Sequence, residues 1–181
     1  MAPLKQCIRM MDEGIARVSQ VLVQLPAAEA RLSRLMLIVS RRMEEDLELQ
    51  LKPHRLNHSE FLTLMILYSS PDGSSSPSEL CEYASQGATN MTRIGNALVQ
   101  RGLIARAASE EDRRRVLIRI TPAGKRFVQK MLPTLFPRVS AMFDGFSDSD
   151  RRNLGRLLRK LADNLDQLHA PTYQDPTRPS R

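Results

Sequence analysis

Apolar side chains recur at helical spacing along the first 25 residues. Their positions alternate between steps of four and three, the heptad pattern of a helix that packs one stripe against another helix. They are Leu4, Ile8, Met11, Ile15, Val18, Leu22 and Leu25. The pattern predicts a helix that ends before Pro26. The stripe could cover its own domain or a second chain, and we favour a second chain because the repeat is sustained.

Two more helices are predicted before the middle of the chain. A second apolar stripe predicts a helix from Ala27 to about Leu51, which Pro53 ends. Asn57 can cap a third helix, because Glu60 stands three residues later and completes a capping box. Residues 69–75 are rich in Ser, Pro, Asp and Gly, and this composition predicts a loop.

Polar and apolar positions change their spacing between Ser76 and Thr121. Ser76 and Glu79 form a second capping box, and Pro77 suits the first turn of the helix that they open. Gln86-Gly87 predicts a turn, after which a helix runs from about Ala88 to Arg101 and stops at Gly102. A short helix, a turn and a second helix predict a helix-turn-helix.

The second of these helices has two unlike faces. Met91, Ile94 and Leu98 line one side at helical spacing. About half a turn away stands a face without apolar residues, formed by Thr89, Arg93, Asn96 and Gln100. Arg, Asn and Gln form paired hydrogen bonds with base edges in the major groove. We therefore predict that these four residues, with the flanking Asn90 and Thr92, contact DNA; the alternative is a solvated helix face.

A hairpin with a charged tip follows. Residues 104–107 predict a strand, residues 109–114 a loop, and residues 115–120 a return strand. In the return strand Val116, Ile118 and Ile120 alternate with Arg115, Leu117 and Arg119, so one side should be buried. A helix-turn-helix followed by such a hairpin is a winged helix-turn-helix. Arg113 and Arg114 at the tip are candidates for the minor groove and nearby phosphates, unless they pair with Glu110, Glu111 or Asp112.

This stretch resembles the MarR family of bacterial transcription regulators. The resemblance rests on three segments: Arg101-Gly-Leu-Ile-Ala-Arg106, Ser109-Glu-Glu-Asp-Arg-Arg-Arg115 and Ile120-Thr-Pro-Ala-Gly124. Ser109 stands where the family has an Asp, and Ile120 where it has a Leu. The resemblance covers roughly residues 28–168 and implies a dimeric DNA-binding regulator.

Two helices are predicted after the hairpin. Thr121 and Pro122 open the first, and because proline interrupts helices we expect a kink or break between residues 130 and 138, where Pro133 and Pro137 lie. Ser147, with Asp150 three residues later, opens the last helix. Its leucines form another seam: Leu154, Leu158, Leu161, Leu165 and Leu168.

These elements predict a mainly α chain with a small β-hairpin wing. We assign residues 1–52 and 122–169 to helices that form a dimerisation region, 53–121 to the winged DNA-binding domain, and 170–181 to a disordered tail. The apolar stripes of the terminal helices exceed what one small winged domain can cover, so we expect a homodimer. Its two-fold symmetry suits a palindromic operator with half-sites about 34 Å apart.

Composition agrees with an anionic partner. The formal net charge is +7, the pI is near 10, and the absence of Trp argues against stacking on single strands. No apolar run approaches the length of about 18 residues of a membrane helix, and we expect a cytoplasmic protein without membrane contact. The sequence contains neither a Gly-rich phosphate loop nor a nucleophile elbow, so we expect no enzymatic activity and no cofactor.

Three further sites are weighed. The family resemblance implies that small aromatic acids or phenols bind beside the third helix, where His58, Met36, Met65 and Tyr68 are candidates; ordinary core packing is the alternative. Ser76 and Ser78 could hold a phosphate at a helix start. His54 and His58 flank a helix boundary, so we expect no metal site there.

Two alternatives to a ligand-released repressor stay open. One is an architectural protein that binds DNA with little sequence preference. The other is a redox-sensing regulator using Cys7 or Cys81, although nothing in the sequence clearly lowers a thiol pKa except Lys5 and Arg9 near Cys7.

Overall fold

The computed structural model describes residues 3–108 and 116–169 of the chain. Within these residues it is mostly helical, with one three-stranded antiparallel sheet. In chain order the elements are α1 (Leu4–Val21), α2 (Ala27–Leu51), α3 (His58–Ser69), β1 (Ser74–Ser75), α4 (Pro77–Tyr83), α5 (Ala88–Gln100), β2 (Ile104–Ala108), β3 (Val116–Ile120), α6 (Pro122–Ala141) and α7 (Asp148–His169). This is the mainly α fold with a small β wing that the sequence predicts.

The chain divides into two compact units, Met1–Thr134 and Leu135–Arg181. The functional division at residues 52, 121 and 169 stays a prediction. The tail of residues 170–181, predicted to be disordered, lies outside the described residues. No helix in the described part of the chain is both long and apolar enough to cross a membrane.

The core of the first unit lies under α3, α4, α5 and the sheet. Its largest fully buried side chains include Leu51, Leu64, Leu67, Leu80, Ile94, Leu98, Ile104, Val128 and Met131. Burial of a Leu or Ile side chain contributes about 1.5–3 kcal/mol, so this cluster fixes how α5 sits in the unit. The polar face of α5 is thereby turned outward.

Both predicted capping boxes of the first unit are confirmed. Asn57 Oδ1 accepts from the Glu60 N–H at 2.9 Å, and the Glu60 carboxylate accepts from the Asn57 N–H at 3.1 Å. Ser76 and Glu79 form the same pair of bonds at 3.2 and 2.9 Å. Each box satisfies backbone donors that would otherwise be free, so it sets the first residue of α3 and of α4.

The sheet has one more strand than the sequence predicts. Ser74 and Ser75 lie in the segment predicted to be a loop, yet they pair with Arg119 and Ile118 of β3. A strand of two residues is too short to show a period of two, which is why the pattern missed it. β3 is therefore central, and Ile118 and Ile120 are buried as predicted, while Val116 is 50% exposed and was wrongly expected inside.

Helix α1 packs against α2 of its own chain. It ends at Val21, before Pro26 as predicted, and Arg31 Nε of α2 lies 2.8 Å from Asp12 Oδ1. No residue of α1 is fully buried, so its stripe keeps surface for a second chain. The predicted packing between chains stays a prediction.

The predicted break near Pro133 is wrong, since α6 runs from Pro122 to Ala141 without interruption. Each proline lacks an N–H and so removes only one hydrogen bond, the one to the carbonyl four residues earlier. The milder alternative, a kink, stays a prediction.

The second unit holds the end of α6 and all of α7. Phe143 and Phe146 meet edge to face at 5.7 Å between ring centres. The predicted cap is confirmed, because Ser147 Oγ accepts from the Asp150 N–H at 3.1 Å and the Asp150 carboxylate accepts from the Ser147 N–H at 2.9 Å. No residue of α7 is buried; Leu161 is half-buried and its other leucines are exposed.

Candidate nucleic-acid interface

Helix α5 places four predicted DNA contacts on one open face. Thr89, Arg93, Asn96 and Gln100 are all exposed, while Met91, Ile94 and Leu98 on the other side are buried. The apolar face holds the helix to the core, and the polar face stays exposed, where the groove of a DNA duplex could reach it. The structure thus brings these four candidates together.

The end of α5 is tied to the start of α6. Gly102 ends the helix with φ of +67°, a conformation that glycine adopts without strain. Thr121 Oγ1 donates to the Gly102 carbonyl at 2.7 Å and accepts from the Gly124 N–H at 2.9 Å. A Cβ at Gly124 would stand 2.1 Å from the Leu103 carbonyl oxygen, so only glycine fits there. This contact explains physically why the chain leaves the sheet through Thr-Pro-Ala-Gly.

The start of α5 carries a chain of side-chain hydrogen bonds. Asn90 Oδ1 accepts from Arg93 Nε at 3.2 Å and from Arg93 Nη2 at 2.9 Å. Asn90 Nδ2 donates to Gln86 Oε1, and Gln86 Nε2 donates to the Ala84 carbonyl at 3.1 Å. Arg93 is therefore linked, through two amides, to the backbone of the turn between α4 and α5.

A second link joins α5 to the wing. Arg106, exposed on β2, donates through Nη2 to Asn96 Oδ1 at 2.6 Å. Sequence reasoning named neither Arg106 nor Gln86 as a site residue. An arginine within the predicted strand of residues 104–107 was a usable sign of a polar contact. Its partner on α5 could be found only from the fold.

The hydroxyl of Thr92 is turned back onto its own helix. Thr92 Oγ1 donates to the Ala88 carbonyl at 2.9 Å, although the residue is exposed. Its oxygen can still accept a hydrogen bond, and its DNA contact stays a prediction.

At the start of α4 a carboxylate already occupies the place proposed for a phosphate. Glu79 accepts from the Ser76 N–H and from Ser75 Oγ, at 2.9 and 2.8 Å. These bonds lower the pKa of Glu79 and keep its carboxylate charged, and the bond from the Ser76 N–H is the largest cause. A phosphate at Ser76 would meet this negative charge, whereas the exposed Ser78 stays a candidate.

Both predicted wing-tip contacts, Arg113 and Arg114, lie outside the described residues. The strands that lead to the tip are described. β2 and β3 pair in register from Ile104 with Ile120 to Ala108 with Val116.

The predicted effector residues are half-buried. His58, Met65 and Tyr68 lie on α3, at steps of seven and three that place them on one side, and Met36 lies on α2. The His58 N–H donates to Glu48 Oε1 at 2.9 Å, which ties α3 to α2. A separate apolar groove of about 830 Å³ lies between α1 and α2, lined by Met11, Ile15 and Arg34 among others.

His54 and His58 lie on the two sides of a helix boundary, as predicted. His54 lies in a 3-10 turn, with Nε2 3.0 Å from Thr134 Oγ1, and a left-handed Arg55 separates it from α3. Arg101 donates to the carbonyls of Arg55 and His54 and lies 5.3 Å from the centre of the Phe127 ring. No group of three potential metal ligands occurs within residues 3–108 and 116–169.

Both cysteines are free and half-buried. Cys7 lines the groove between α1 and α2, and Cys81 lies on α4.

Comparison with known proteins gives one consistent family. Residues 55–115 match the model of the MarR family. The chain is 30% identical over 165 residues to the transcriptional repressor MprA of Escherichia coli K12, covering 87% of this chain and 94% of that protein.

Solved structures share the fold. Sco3205, a MarR family regulator of Streptomyces coelicolor solved in complex with DNA, superposes with a TM-score of 0.69 at 24% identity, over 78% of this chain and 93% of that one. BpsR of Bordetella bronchiseptica, whose DNA binding is regulated by 6-hydroxynicotinic acid, superposes with a TM-score of 0.63 at 23% identity, over 72% and 92%.

Proposed function

Because the chain belongs to the MarR family of transcriptional regulators, we propose that it is a homodimeric repressor that binds a palindromic operator and is released by a small aromatic acid or phenol. Helix α5 enters the major groove, and the wing tip with Arg113 and Arg114 follows the adjacent backbone and minor groove.

One observation carries the DNA-binding role: α5 exposes the polar face of Thr89, Arg93, Asn96 and Gln100 and buries Met91, Ile94 and Leu98 on its other side. A helix held by its inner face on a rigid core presents its outer side chains in fixed positions, which base reading requires. The net charge of +7 adds the non-specific attraction to phosphates.

The terminal helices support the dimer. Leu157, Leu158 and Leu165 of α7 are 52, 47 and 46% exposed, and Val18 of α1 is 45% exposed. Apolar rows of this length are rarely left in water, and a second copy could cover them. We therefore assign residues 1–52 and 122–169 to dimerisation and 53–121 to DNA binding.

Release by an effector follows from the same arrangement. BpsR, which shares the fold, responds to 6-hydroxynicotinic acid. In this chain we propose that a comparable acid contacts His58, Met65 and Tyr68 of α3, with Met36 of α2. It releases DNA only as far as it binds the free dimer more tightly than the dimer on DNA.

Selection of binding sites from random duplexes tests the proposal. The expected result is an inverted repeat with half-sites one helical turn apart, preferred at least about 10³-fold over unrelated DNA. An architectural protein would show no such preference, and that outcome would reject the repressor.

The effector is tested on the selected duplex. A panel of aromatic carboxylates and phenols is titrated into the complex while fluorescence anisotropy is followed. At least one compound should release the DNA. His58→Ala should weaken the binding of that compound and leave the affinity for DNA unchanged. If no compound releases the DNA, the effector is removed from the proposal.

A further inference from the structure

We infer that Gln86 and Asn90 are positioning residues, which hold Arg93 so that its free guanidinium edge reads a guanine at one base pair of each half-site. The inference rests on the proposed DNA-binding role and adds to it the residues that set sequence preference at one position. In this assignment Asn90, predicted above as a direct DNA contact, acts through Arg93.

The hydrogen bonds form one directed chain. Gln86 Nε2 donates to the Ala84 carbonyl at 3.1 Å, which leaves Gln86 Oε1 to accept from Asn90 Nδ2. Asn90 then has its oxygen toward Arg93, where it accepts from Nε at 3.2 Å and Nη2 at 2.9 Å. The backbone carbonyl at the end of α4 therefore fixes which way each amide faces.

The positions of the three residues make this chain possible. Gln86 lies in the turn, and Asn90 and Arg93 follow four and seven residues later, along one side of the first two turns of α5. Gln86 and Asn90 are half-buried, whereas Arg93 is exposed. The two amides thus support the arginine from behind.

Asn90 has both ends of its amide engaged within the protein. Paired recognition of adenine needs the free oxygen and the free N–H₂ of one amide, so Asn90 is poorly suited to read a base itself.

Arg93 keeps one paired edge. The bonds to Asn90 use Nε and one hydrogen of Nη2, and the fork formed by Nη1 and the other hydrogen of Nη2 has no partner among residues 3–108 and 116–169. Two parallel donors match the O6 and N7 acceptors of guanine in the major groove. A guanidinium that is already held loses less rotational freedom when it binds, so discrimination at that base pair is sharper.

The chain offers a matched control on the same helix. Asn96 also accepts a hydrogen bond from an arginine, at 2.6 Å from Arg106 Nη2, but it has no part in the chain that holds Arg93. Asn90→Ala and Asn96→Ala remove the same side chain from α5, and only the first should disturb Arg93.

The experiment measures affinity for the selected operator and for duplexes in which each half-site base pair is changed in turn. The intact protein should prefer guanine at one pair by about tenfold or more, and Arg93→Lys should abolish that preference because an ammonium lacks the paired edge. Asn90→Ala and Gln86→Ala should each lower the preference at the same pair by about threefold or more, with the salt dependence unchanged. Asn96→Ala removes a different predicted DNA contact and should change base preference only at other pairs, leaving the preference at the Arg93 pair intact.

A double variant separates positioning from a general loss of structure. In the Arg93→Ala background, Asn90→Ala should cause no further change in base preference. Circular dichroism checks that each variant is folded. If Asn90→Ala does not fold, the same comparison is made with Gln86→Ala.

The inference is overturned if Asn90→Ala or Gln86→Ala weakens all duplexes equally, alters a different base pair from Arg93→Lys, or adds to Arg93→Ala. It is also overturned if the pair controlled by Arg93 is not G·C. If the intact protein prefers no sequence, the repressor proposal itself has failed, and this result is distinct from the others.

Discussion

Helices α5 and α7 are both amphipathic, yet they differ in what their apolar sides touch. Ile94 and Leu98 of α5 have no exposed surface, and the helix end is tied by Thr121 to the next element. Leu154, Leu158 and Leu165 of α7 have the same helical spacing and stay 37–47% exposed. The same kind of pattern is satisfied within one chain in the first case and not in the second.

The difference indicates that the two helices have different roles. On the proposed function, α5 contacts DNA and needs a fixed orientation, which the core of its own chain supplies. On the same proposal, α7 packs its exposed apolar side against a second chain. The comparison predicts that changes around α5 affect folding of one chain, whereas changes in α7 affect association of two.

The largest effect is expected at Gly124. Its substitution by Ala places a Cβ 2.1 Å from the Leu103 carbonyl oxygen, and the backbone must shift. We expect a loss of about 3 kcal/mol in the free energy of unfolding, measured by urea denaturation.

Gly155→Ala in α7 is the control for Gly124→Ala. There the new Cβ meets only the end of the Arg159 side chain at 3.4 Å, and a gain of about 0.5–1 kcal/mol is expected from helix propensity. Equal effects of the two substitutions would contradict the contrast between the regions.

The next effect concerns association. A double change of Leu158 and Leu165 to Glu puts two charges on the exposed seam of α7, and we expect the dimer to weaken at least about a hundredfold. Analytical ultracentrifugation measures it, and circular dichroism should show that the helices persist. Gln167→Glu, on another side of α7, should leave the dimer unchanged, and a dimer that survives both leucine changes would place the interface elsewhere.

A smaller effect is expected from the wing tip. Arg113→Ala should weaken binding to all duplexes and reduce the slope of log affinity against log salt by about 0.9, because one phosphate contact is lost. Fluorescence anisotropy at several salt concentrations measures the slope. Arg159→Ala removes the same charge from α7, outside the predicted DNA-binding segment, and should not change the slope. An unaltered slope for Arg113→Ala would reject the wing contact.

The smallest effect is on proton binding in the turn before α4. Hydrogen bonds from Ser74, first from its hydroxyl and then from its N–H, with a further bond from Ser70, lower the pKa of Asp72 from 3.8 to about 2. Because the folded pKa is the lower one, the contribution to stability is present above pH 3.8 and is lost as the pH falls through about 2.

Substitution of Ser74 by Ala removes the largest cause of that shift, and the pKa of Asp72 should rise toward 3.8. Carboxyl carbon NMR as a function of pH measures it directly. Ser78→Ala, at an exposed serine of α4, should leave the pKa of Asp72 where it is, and an unchanged pKa in Ser74→Ala would show that this hydroxyl is not the cause.

Sequence reasoning succeeded where a local rule decides the outcome. The capping boxes at Asn57 and Ser76 depend on side chains three residues apart, and the inner face of α5 follows from helical spacing alone. It failed where the outcome depends on distant partners. β1 exists because β3 lies beside it, and Val116 is exposed although its neighbours in the alternation are buried.

The amino-acid order by itself determined the helices, their caps and the polar face of α5, because these depend on neighbours within about one helical turn. Only the tertiary structure decided that Arg106 meets Asn96 and that β1 completes the sheet. Those contacts require side chains or strands to meet across a turn or a sheet, and spacing along the chain does not set the distances between them.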